Sequence, residues 1–130
     1  MTNDLTGVWF GEYAYPVGEA PVAFIANLDE RDGVIAGRVD EPNTFGMPYA
    51  QRLFAHLSGT RTNNLVVLTK TYDGTGGATH SVSYTGEVSA DGDMIEGIWR
   101  TRGWSGRFTM SRPAVAPADA REAFAQSVDS

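Results

Sequence analysis

A lysine, a glutamate, a histidine and a group of aromatic residues carry most of the chemical potential of this chain. Val66, Leu68, Lys70 and Tyr72 alternate with Val67, Thr69 and Thr71. Alternate side chains of an extended strand share a face. Lys70 therefore stands on the apolar face of its segment, unless a bulge turns it out to solvent. An inward ammonium needs a carboxylate or tyrosine partner, because a buried unpaired charge is costly. Glu41 is the nearest candidate. Trp9, Tyr13 and Tyr15 share one parity, His80 shares another with Val82 and Tyr84, and Trp99 shares a third with Ile95. Aromatic walls with a few polar groups are the usual lining of a small-molecule site.

Catalysis finds little support, and no catalytic residue, metal ion or cofactor is expected. No serine sits in a nucleophile elbow and no HExxH run occurs. Cysteine is absent, which excludes thiol catalysis, disulfides and cysteine zinc sites. The two histidines, His56 and His80, cannot build a three-histidine metal site. Asp29–Asp32 and Asp91-Gly92-Asp93 lack the ligand spacing of an EF-hand loop and are expected to be hairpin turns. Asp73-Gly74-Thr75-Gly76-Gly77 lacks the lysine and the following helix of a phosphate loop, so a flexible turn is expected. The net charge of -6 argues against nucleic-acid or anionic-membrane partners. No apolar run approaches the roughly 20 residues of a membrane span, and Met1–Gly7 is polar rather than a signal peptide. A cytoplasmic protein is the expectation.

The elements that position these residues are strands. The chain of 130 residues has the length of one domain. Short segments rich in Val, Ile, Tyr, Phe and Trp recur between Gly, Asp, Asn and Pro. Eight strands are predicted: Gly7–Tyr15, Val22–Leu28, Val34–Asp40, Arg52–Gly59, Leu65–Tyr72, His80–Val88, Met94–Thr101 and Trp104–Arg112. Compact turns follow the second, fourth and sixth, and Arg102-Gly103 makes a two-residue hairpin. Longer loops occupy Ala14–Pro21, Glu41–Gln51 and Asp73–Thr79. With every neighbour antiparallel, the three compact turns share one end and the long loops the other. Closure removes both sheet edges. The expected fold is an all-β, eight-stranded antiparallel up-and-down barrel over residues 1–113. After it, 114–130 forms a short C-terminal helix or tail, with Asp119 as N-cap and Ala120, Phe124 and Val128 on one face.

The start of the first strand, Leu5-Thr6-Gly7-Val8-Trp9, resembles the Gly-x-Trp signature of the calycins, the lipocalin and avidin type of barrel. The resemblance implies that Trp9 packs at the closed end under a basic residue of the last strand, here Arg112. It spans roughly residues 5–112 and stops at architecture, since no set of biotin-binding residues matches and the long lipocalin helix is missing. The chain resembles most a small bacterial single-barrel family without an assigned activity, whose most distinctive loop is Glu41-Pro42-Asn43-Thr44-Phe45-Gly46.

On this topology the long-loop end gathers Tyr13, Tyr15, Glu41, Arg52, Lys70, Tyr72, His80, Trp99 and Trp104. Phe45 is expected to cap the cavity, and Glu41 to pair with Lys70 or Arg52. The function expected is a non-enzymatic binding module that holds a small, partly apolar ligand in the barrel mouth. The alternatives are a structural barrel with a filled core that forms homo-oligomers, and an enzyme that uses Glu41, Lys70 or His80 for acid–base work. Catalysis would require those groups in hydrogen-bond reach of one another. Outward Val8, Phe10, Phe54 and Ile98 predict an apolar outer wall and a dimer or higher oligomer.

Overall fold

The computed structural model describes residues 4–16, 18 and 20–112. The C-terminal helix or tail expected over 114–130 lies outside the described residues. The strands are β1 (Gly7–Tyr13), β2 (Val22–Arg31), β3 (Val34–Pro42), β4 (Arg52–Thr62), β5 (Leu65–Tyr72), β6 (Ser81–Val88), β7 (Met94–Thr101) and β8 (Trp104–Ser111). They form a closed barrel in sequence order, antiparallel throughout. Pairing of Phe10 with Ser111 and of Tyr13 with Phe108 closes β1 on β8. The up-and-down barrel expected from the strand rhythm is the fold observed.

The strand limits differ from expectation where turns are tighter than the sequence suggests. β2 continues to Arg31 and β4 to Thr62, because only Asp32-Gly33 and Asn63-Asn64 remain as turns. Asp32, Gly33 and Asn63 all take positive φ, which suits a two-residue hairpin between twisted strands. β1 stops at Tyr13, so Tyr15 belongs to the following loop, and β6 begins one residue after His80. One end of the barrel carries the turns at 32–33, 63–64 and 89–93; the other carries the connection from β1 to β2, the loops at 43–51 and 73–80 and the 102–103 hairpin.

Apolar side chains alternate inward. Trp9, Ala26, Leu28, Ile35, Val39, Leu53, Ala55, Leu57, Val66, Leu68, Ile95, Phe108 and Met110 form one continuous core. Glycine lets the strands coil. Gly97 of β7 faces Gly86 of β6, and a Cβ at Gly97 would meet the Thr85 carbonyl oxygen and the Gly86 Cα. Two strands can cross closely only where side chains are missing on this face.

The closed end is sealed by the N-terminal segment. Trp9 is fully buried and its indole nitrogen donates to the Leu5 carbonyl at 2.9 Å. The Arg112 guanidinium lies 4.8 Å from the Trp9 ring centre and donates to the carbonyls of Asp4, Thr6 and Gly92. Glu30 accepts from the Leu5 amide at 2.8 Å and pairs with Arg61. The arrangement of Trp9 beneath Arg112 is the one expected.

Outward positions are mainly polar: Glu12, Asn27, Asp29, Arg38, His56, Thr69, Glu87, Glu96 and Arg107 are exposed. Among the outward apolar residues, Val8, Val34, Leu65, Val67, Met94 and Ile98 are exposed, whereas Phe10 and Phe54 are half-buried.

Candidate functional site

The open end holds the one buried ion pair among the described residues. Glu41 continues the inward parity of Ile35 and Val39 on β3, and Lys70 that of Val66 and Leu68 on β5. Glu41 is 0% exposed and Lys70 2%. The Lys70 ammonium donates to Glu41 Oε1 at 2.9 Å. Tyr13 and Tyr72 donate to Glu41 Oε2 at 2.8 and 2.9 Å. Both carboxylate oxygens are thus occupied, as a charge removed from water requires. The Lys70 ammonium also stands 4.7 Å from the ring centres of Tyr13 and Tyr72 and 5.4 Å from that of Tyr84. Three π faces supply attraction where a hydration shell has been lost.

Above this floor a cavity of about 800 Å3 opens between the long loops. Its wall includes Tyr13, Tyr15, Tyr72, Val82, Tyr84 and Trp99. Tyr15 meets Trp99 edge-on at 5.5 Å, and Tyr13 meets Trp99 at 6.1 Å. The Trp99 indole nitrogen donates to the Ala14 carbonyl at 2.9 Å, which fixes the ring against the first loop. Phe45 and His80 form part of the rim: Phe45 contacts Tyr72 edge-on at 5.4 Å, and His80 lies 4.7 Å from Tyr72.

The loop that carries Phe45 is built around one side chain. Asn43 donates to the carbonyls of Met47 and Ala50, both at 2.8 Å, and accepts from the Gly46 amide at 2.6 Å. The Met47 amide then donates to the Gly76 carbonyl at 2.7 Å, which ties this loop to a short 3-10 turn at Thr75–Gly77. Gly76 has φ 64° and is buried, and a Cβ there would come within 2.7 Å of Leu53. Glycine is required at that position by both conformation and space.

Burial governs the ionisation of the site. It pushes the Lys70 pKa below the ordinary lysine value, against the pull of Glu41. It raises the phenol pKa values of Tyr13, Tyr72 and Tyr84, and the Glu41 charge raises them further. His80 is lowered by burial, then by the Lys70 and Arg102 charges, with Glu41 opposing. The cavity floor therefore disfavours any additional charge.

The structure brings together Tyr13, Tyr15, Phe45, Lys70, Tyr72, His80, Trp99 and Trp104 around the cavity, with Glu41 beneath them. Trp104 stands at the rim and is 60% exposed. Arg52 is a correction. It lies on the outer wall, pairs with Asp40 rather than Glu41, and does not line the cavity. The reason is parity: Leu53, Ala55 and Leu57 point inward, so Arg52 points outward with His56. Tyr84 and Val82 were missing from the expected site set, although both line the cavity. Their signal was present, since both share the parity of His80.

No family model and no curated protein matches this chain. Among solved structures, it is similar to a redesigned beta barrel with 15% sequence identity and a TM-score of 0.63. That alignment covers 84% of this chain and 91% of the other. The likeness extends to the fold alone.

Proposed function

We propose that this barrel is a non-enzymatic binding module that holds a small, partly apolar molecule in its mouth. The observation that carries this reading is the cavity of about 800 Å3 with its aromatic wall around Lys70. Ligand sites commonly enclose about 300–1,000 Å3 and combine apolar walls with a few directed polar groups. The seal of Arg112 over Trp9 supports a calycin-like barrel, closed at one end and open at the other.

A second reading, acid–base catalysis, is favoured by the Lys70–Glu41 contact. The occupancy of the carboxylate weighs against it. Glu41 already accepts from three donors, so it acts as a counter-ion rather than as a free base.

The test is binding of ethylnaphthalene, a neutral aromatic probe, followed through the fluorescence of Trp99 and Trp104. Saturable one-to-one binding is expected, with loss in the cavity-filling variant Val82→Phe. Equal binding by that variant, or no binding to the wild-type chain, would overturn the reading.

A further inference from the structure

We infer that the ligand carries a neutral carbonyl on a flat aromatic or conjugated body, with its oxygen docked on the Lys70 ammonium and the Tyr84 hydroxyl. The inference rests on the binding reading above and names the chemistry of the molecule that fills the site.

The first observation is donor capacity on Lys70 and Tyr84 that no oxygen of the described residues takes up. An ammonium has three N–H donors. Among the described residues, Glu41 is the one hydrogen-bond partner of Lys70, at 2.9 Å. The other contacts of the ammonium are the faces of tyrosine rings. Tyr84 is only 5% exposed, yet its hydroxyl makes no hydrogen bond among the described residues. Tyr13 and Tyr72, on the same floor, both use theirs. No fully enclosed side-chain polar atom is left unpaired among the described residues, so the Tyr84 hydroxyl opens into the cavity that Tyr84 lines. Native interiors leave few buried polar groups unpaired, and an acceptor entering from the mouth would satisfy both donors.

The second observation is the charge balance. Lys70 and Glu41 already neutralise each other. A ligand carboxylate would be a third charge, placed near Glu41 in a site where burial raises three phenols and lowers a lysine. A carbonyl offers the acceptor without that charge.

The third is the shape of the walls. Tyr15 and Trp99 stand edge to face on one side, and Phe45, Tyr72 and His80 cluster on another. Aromatic side chains bind flat π systems by offset stacking and by edge contacts.

The experiment compares acetylnaphthalene, ethylnaphthalene and naphthoate, all substituted at the same position, by calorimetric titration of the full chain. The ketone should bind about tenfold tighter than the hydrocarbon, because it adds a hydrogen bond to a charged donor. It should also bind tighter than the carboxylate. Tyr84→Phe is the informative variant, since it removes a hydroxyl that bonds none of the described residues. It should cut the preference for the ketone over ethylnaphthalene about threefold to tenfold. Lys70→Met in a Glu41→Gln background should remove most of the remaining preference for the ketone. Equal binding of ketone and hydrocarbon would overturn the inference and leave the binding function standing. Tightest binding by naphthoate would replace the neutral acceptor with an anion. Failure of all three probes would overturn the binding function itself.

Discussion

Replacing Glu41 by glutamine tests the central feature of the open end. The amide keeps the volume but leaves Lys70, 2% exposed, without its counter-charge. A lone buried ammonium releases its proton instead. Neutralising a lysine at neutral pH costs at most about 4–5 kcal/mol, from about 1.4 kcal/mol for each pH unit below its ordinary pKa. The reverse change, Lys70→Met, leaves a buried carboxylate that retains the two tyrosine donors. Protonating a glutamic acid at neutral pH costs at most about 4 kcal/mol by the same arithmetic. Each single variant should therefore lose about 3–4 kcal/mol, in line with other broken buried pairs. The double variant has no stranded charge, and its glutamine can still meet both phenols. It should lose only about 1–2 kcal/mol, which leaves a coupling of at least about 4 kcal/mol. Urea unfolding of the four proteins at neutral pH measures all of these terms. A coupling below about 0.5 kcal/mol lies within ordinary additivity error and would show that the pair is not a unit.

Alkaline pH should unfold the barrel steeply. Tyr13, Tyr72 and Tyr84 have folded pKa values above their unfolded ones, so their contribution is whole below about pH 10 and falls above it by about 4 kcal/mol per pH unit for the three. Lys70 has the opposite sign: its folded pKa is lowered, so its contribution grows toward its unfolded pKa of about 10.4 and is constant beyond. Tyrosinate absorbance of these three should appear together with loss of near-ultraviolet circular dichroism, and their ionisation in a folded barrel would contradict the burial argument. At the closed end, Arg112→Met should cost about 2–3 kcal/mol, because three backbone carbonyls lose a charged donor and the Trp9 ring loses its cation. Arg112→Lys should restore only part of this, since an ammonium lacks the fork, and full recovery in thermal melts would show that charge alone matters. Gly97→Ala should prevent β6 and β7 from closing, so a soluble variant with native circular dichroism would refute the close approach to Thr85 and Gly86.

The barrel was legible because its strands alternate without interruption and its turns carry residues that accept positive φ. The strand ends were less so. Arg31 and Thr62 belong to strands although their neighbours look like turn material, because a two-residue hairpin consumes only its two central residues. Parity put Lys70 on the apolar face of its segment, with an outward-turning bulge as the alternative, and parity would have excluded Arg52, which shares the outward face of His56. The expectation for Arg52 rested instead on nearness to the mouth, which says nothing about which side of the wall a residue occupies.

What parity cannot supply is the level at which inward side chains meet. Glu41 is opposite Leu53 on β4, whereas Lys70 is opposite Leu57, four residues further along the same strand. A flat sheet would hold these two groups apart. In a closed barrel the strands tilt and stagger, so residues at different positions along neighbouring strands reach the same height in the interior. That stagger is a property of the closed sheet, set by all eight registers together, and no single segment of sequence encodes it. The long lysine side chain then spans what distance remains, and its arrival beside Glu41 brings the Tyr13, Tyr72 and Tyr84 rings around one ammonium. The chemistry of the site therefore depends on closure. A variant that opens the seam between β1 and β8 should lose the ion pair even with every site residue intact.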